Sequence, residues 1–219
     1  MNYLKWSGLS LAITLLISSC MPEVEAPLAN EASNLKEEVA IASSEEVGGE
    51  NFRKGPNGVF YQEKFSNQSI AGSEGVPSFA FPGFGSGEAT YMGKSFSFFN
   101  QYATGEPDEN GVAYTVAAPV TQFFSGQLMN LGLNLDEIEG NPELVSSITT
   151  DGKGNAIFFN NVSNKVQFDL MRNVTFVAQV KIVGGTGKFK GASGTGTVIG
   201  NVSGSTGQGS TTVRATIKF

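Results

Sequence analysis

The chain of 219 residues has no histidine and a single cysteine. The first absence excludes imidazole-based acid/base catalysis, Ser-His and Cys-His nucleophile pairs, and every zinc site with a histidine ligand. The second excludes an internal disulfide. Positive charge is not in excess in the large body of the chain: residues 51–219 hold 12 acidic and 12 basic side chains. A neutral body without a basic stripe argues against nucleic acid as a partner. No apolar run reaches the roughly 20 residues of a transmembrane helix. Glu137, Glu139 and Asp136 make an acidic patch without the spacing of a calcium loop, so neither a metal nor a cofactor is implied.

The formal net charge of −6 belongs to a short N-terminal segment, because residues 21–50 carry eight Glu against Lys36 and contain no aromatic residue. Such a stretch buries too little apolar surface to offset its ordering entropy and reads as a solvated tether. A helix around Asn34 to Ala42 would present only a thin stripe of Leu35, Val39 and Ile41. Before the tether, Lys5 precedes an apolar run from Leu9 to Ile17 that ends in Ile17-Ser18-Ser19-Cys20. An aliphatic residue, two small residues and Cys resembles the bacterial lipoprotein signal. That resemblance implies cleavage before Cys20, acylation of its sulfur and anchoring in a membrane by two or three acyl chains. Met21 stands where an inner-membrane retention Asp would be, so an outer-membrane, cell-envelope address is expected. The expected organisation is a signal peptide over 1–19, an acidic tether over 20–52 and one β domain over 53–219.

The 17 Phe all lie beyond residue 50, with 25 of the 28 Gly. Alternation with period two dominates there. Val174, Phe176, Ala178, Val180 and Ile182 share one face, and near the C-terminus Val213, Ala215, Ile217 and Phe219 do the same. Further strands are predicted at 59–70, 88–103, 112–117, 121–128, 156–160, 165–172 and 194–202. Turn signals such as Asp108-Glu109-Asn110-Gly111 and Asp151-Gly152-Lys153-Gly154 separate them. This spacing predicts an all-β chain, a single antiparallel meander closing about eight strands into a barrel. Leu131 to Ile148 departs from the pattern. Asn134 is placed to cap a turn through Ile138, and Asn141-Pro142-Glu143 looks like a helix start. The segment is expected to cross one end of the barrel, as a lid over a pocket or as a packed connection.

The densest motif runs from Gly184-Gly185-Thr186-Gly187-Lys188-Phe189-Lys190 to Gly191-Ala192-Ser193-Gly194. It is not a phosphate loop: Ile182 stands six positions before Lys188, and Phe189 follows where Ser or Thr would hold magnesium. Glycines between two strands instead allow a tight bend and close packing at a barrel corner. The motif resembles the signature of bacterial secreted proteins related to the allene oxide cyclase and dirigent barrels. Ala89-Thr90-Tyr91-Met92-Gly93-Lys94 is similar to an early segment of the same proteins, with Tyr91 in place of their His. The resemblance implies a calycin-like, eight-stranded, allene-oxide-cyclase-like barrel with a central cavity. It transfers no catalytic residue.

Four functions compete at this point. The first is a lipid-anchored module binding a small apolar or amphipathic molecule, with Tyr91, Glu88 and Phe99 as candidate ligand contacts. The doubled Phe98-Phe99, Phe123-Phe124 and Phe158-Phe159 motivate it, since in a strand one ring of each pair points to each side. The second is a cyclase-like or isomerase-like enzyme using Glu88 beside Tyr91, or Asp169 near Arg172. The third is a structural or surface-interaction lipoprotein with a filled barrel. The fourth is an integral outer-membrane barrel, whose strands have the same period. Sequons at Asn67, Asn161, Asn173 and Asn201 are expected to be fortuitous in a bacterial lipoprotein. Oligomeric state is not legible.

Overall fold

The computed structural model of the protein describes residues 58–219. The expected signal peptide with Cys20, the expected tether and the helix expected near Asn34 lie outside the described residues. Ten strands and two helices follow in the order β1 (Val59–Ser69), β2 (Gly83–Ala89), β3 (Gly93–Phe99), β4 (Gln101–Ala103), β5 (Val112–Ala117), α1 (Thr121–Asn130), α2 (Leu135–Glu139), β6 (Ser147–Thr150), β7 (Ala156–Phe168), β8 (Val174–Thr186), β9 (Ser193–Val202) and β10 (Gln208–Lys218).

All pairings between these strands are antiparallel, and the ten strands fill eight positions. β3 and β4 are one strand interrupted at Asn100. Opposite them, β5 and β6 are collinear, since Ala117 pairs Gln101 while Ser147 pairs Phe99. β7 pairs with both, through Thr115–Asn164 and Ser147–Phe159. The meander closes where β10 pairs β1, giving an eight-stranded antiparallel barrel with no free edge. The sequence-predicted strands at 156–160 and 165–172 both begin within β7, whose halves join through a register shift between Asn161 and Ser163; β7 ends at Phe168, and residues 169–172 form the turn before β8. The predicted strand at 88–103 covers the end of β2, a turn over residues 90–92 with Tyr91 in the left-handed region at φ 66°, and then β3 and β4.

Residues 118–146 are an excursion from the middle of one strand position. Asn100 holds both of its ends: its N–H donates to Ser146 O, its carbonyl accepts from Ala118 N–H, and its amide donates to Pro119 O. Residues 121–128, predicted as a strand, form most of α1. Phe124 and Leu128, spaced i and i+4, face inward together. The helix ends in a Schellman motif: Gly132 at φ 80° donates to Met129 O and Leu133 N–H donates to Leu128 O. Asn134 caps α2 through Asp136 N–H at 3.0 Å, as its sequence position suggested. Asn141 accepts from Glu143 N–H and donates to Val183 O, but no helix follows it.

These helices lie on the outer wall, which corrects the expectation of a segment crossing a barrel end. Phe124 packs on Phe84 and Phe98 at ring distances of 6.4 and 5.4 Å, above Ile148 and Phe158. Elsewhere the outer wall is mixed, with Phe60, Tyr114, Val116 and Val162 exposed among polar side chains. Lys64, Glu88 and Lys94 form a cross-strand ladder, and Thr195, Arg214 and Lys218 also face outward.

Candidate functional site

The interior differs from one end to the other. At the closed end Tyr61, Ile157, Ile182, Phe189 and Ile217 are buried in a single cluster. Phe189 is the aromatic of the glycine motif. The turn after β8 swings it under the barrel, where it meets Tyr61 edge-on at 6.1 Å. Gly187 permits that turn: its φ is 57°, and a Cβ there would lie 2.5 Å from Asn155 Oδ1.

Toward the other end the barrel is hollow, with a cavity of about 940 Å³. Its mouth is formed by Ser78 and Phe79, by Thr104 to Pro107, and by Arg172. Glycines on inward positions of β2 and β9 explain the space. Phe99 lies across Gly83, its register partner, and Phe176 lies across Gly200. Cβ atoms at those glycines would come within 2.3 and 2.5 Å of the two rings. Rings that lie flat against a bare backbone line a barrel without filling it.

The walls are chiefly Phe99, Phe159, Val166, Phe176, Val180 and Val213. Set among them is Glu63, which is 2 % exposed. Its strand alternates Val59, Tyr61, Glu63, Phe65, so the carboxyl occupies an inward position of β1. Tyr61 Oη donates to Glu63 Oε1 at 2.5 Å. Burial pushes the Glu63 carboxyl up to about 7, against the pull of hydrogen bonds from Tyr61 and Thr149. Burial, together with the neighbouring Glu63, raises the Tyr61 hydroxyl well above its ordinary value, which keeps it a donor. A second polar group comes from β7. Asn164 donates to Gln101 and Thr115 at 2.7 and 2.9 Å, leaving its Oδ1 unpaired. Asn161, 5 % exposed, has no hydrogen-bond partner for either amide atom. All three side chains line the cavity.

The sequence-derived candidates fall in different places. Phe99 is in the cavity wall. Glu88 is on the outer surface between Lys64 and Lys94, and Tyr91 packs against the closed-end cluster, so the cavity lining includes neither. Asp169 is no tuned acid: the Asn173 side chain, helped by backbone N–H groups of Asn173 and Met171, holds its carboxyl below the ordinary range. It organises an exposed turn in which Arg172 has φ 61°. Phe123 and Phe124 belong to α1, whereas Phe98–Phe99 and Phe158–Phe159 do split between outer wall and cavity. Of the sequons, Asn67 and Asn161 face the interior, where no glycan fits.

Glu63 was not among the candidates. Its signal in the sequence is a carboxylate on the apolar face of an alternating strand. Among the described residues no cluster of three His, Cys, Asp or Glu is placed to hold a metal. Comparison with family models, with curated proteins and with solved structures finds no match for this chain.

Proposed function

We propose that this chain is a lipid-anchored envelope protein whose barrel binds one small, mostly apolar molecule carrying a polar group. The observation that carries the binding reading is the 940 Å³ cavity with aromatic and aliphatic walls and a few inward polar groups. That volume and chemistry are those of sites for small ligands. The cavity also favours this reading over a structural lipoprotein with a filled barrel, because phenylalanines laid across glycines leave the space open. The anchor rests on the lipoprotein-like sequence ending at Cys20, and the outer-membrane address on the residue after it.

Two measurements test the two halves. Metabolic labelling with palmitate should mark the wild-type chain and not Cys20→Ser; equal labelling of both would overturn the anchor. Native mass spectrometry after incubation with the neutral apolar probe N-phenyl-1-naphthylamine should show a one-to-one complex. The complex should be lost in Ala178→Phe, which places a ring in the cavity. An unliganded wild-type mass throughout would overturn the binding reading.

A further inference from the structure

We propose that the ligand is a lipophilic amine, held by its ammonium head against Glu63. This rests on the binding reading above and names the class of molecule bound. Glu63 has a buried carboxyl inside an apolar chamber and no cation beside it. The groups facing it are Tyr61 on its own strand, Val213 opposite on β10, Ala89 opposite on β2, and Thr149 from β6. None of these carries a positive charge. The other charged side chains of the lining, Glu106 and Arg172, are exposed at the mouth.

A carboxylate in such a place is costly unless a counter-charge reaches it. The unpaired atoms elsewhere in the lining also favour donors on the ligand: Oδ1 of Asn164 and Oδ1 of Asn161 accept, and Asn161 Nδ2 is the one unpaired donor of the two amides. An alkylammonium has three donors and no acceptor. A fatty-acid carboxylate would instead meet Glu63 with like charge and find no cation. Aliphatic and aromatic walls around the carboxyl suit the hydrocarbon body of such an amine.

The sign of the pH dependence follows. The amine, with an ordinary value near that of lysine, about 10, is protonated throughout the neutral range, so its pairing is governed by Glu63. Since the Glu63 carboxyl titrates at about 7 without ligand, the ionised fraction rises about tenfold between pH 6 and 8.

The test uses the full chain with N-phenyl-1-naphthylamine bound, and displacement by decylamine, decanol and decanoate at pH 6 and pH 8. Decylamine should displace the probe at a concentration at least about tenfold below decanol at pH 8 and lose about tenfold on going to pH 6, with decanoate weakest. Glu63→Gln should bring decylamine to the level of decanol and remove its pH dependence, with circular dichroism reporting that the variant is folded. Probe binding with decanoate or decanol as the best competitor, or an amine preference that survives Glu63→Gln, would overturn the amine assignment and leave the binding reading standing. Failure of the probe and all three ligands to bind would overturn both.

Discussion

Replacing Glu63 with Gln should flatten the dependence of folding stability on pH between 5 and 8. In the ligand-free fold the carboxyl titrates at about 7 against an ordinary value of 4.5, so the folded state holds this proton more tightly than the unfolded chain does. Its effect on stability is therefore largest in favour of folding below pH 4.5. It declines as pH rises through the interval and is constant above 7. Each tenfold change in proton affinity is worth about 1.4 kcal/mol, so ionisation costs the fold about 3 kcal/mol in full, most of it between pH 5 and 8. Glutamine keeps the shape and carries no charge. Urea unfolding of the wild-type chain and Glu63→Gln at both pH values, at equal ionic strength, gives the two differences. The wild type should lose about 2–3 kcal/mol more than the variant. Asp169 does not confuse the comparison, because its carboxyl is held below the ordinary range and titrates beneath the window. Parallel pH profiles for the two proteins would refute the burial argument, and a steeper loss in the variant would reverse its sign.

Other substitutions test other layers of the structure. Phe189→Ala should destabilise the barrel by about 3–5 kcal/mol in denaturant unfolding, since a fully buried ring leaves the closed end. Gly83→Ala should lift the Phe99 ring off the wall, weakening probe binding and costing about 1–3 kcal/mol of stability. Lys181→Ala removes the 2.6 Å ion pair with Glu143, yet both side chains are more than two-fifths exposed, so stability should change by less than about 1 kcal/mol.

Local sequence pattern was enough for the barrel wall. Inward positions of β8 and β10 read directly from alternation, because Val174 to Ile182 and Val213 to Ile217 have one wet and one dry side. It failed at residues 121–128, where Phe123 and Phe124 look strand-like, and the i, i+4 partner Leu128 with Gly132 behind it decides for a helix. Phe99 could be found from its doubled neighbour. Glu88 was preferred to Glu63 because a motif drew attention to it, while parity within the strand separates the two: one faces Lys64 and Lys94 outside, the other Tyr61 and Thr149 inside.

Composition and order by themselves determined that chemistry here proceeds without imidazole or disulfide, and that the domain after the acidic segment is built of alternating strands. Period two also specifies which side chains share a face. It does not say whether that face is packed solid, since a ring that fills a barrel and a ring that lies along its wall have the same spacing. The tertiary structure decided this by register, placing Phe99 opposite Gly83 and Phe176 opposite Gly200. It likewise decided that Glu63 is a buried acid near neutrality, because desolvation comes from strands distant in the chain that close around it.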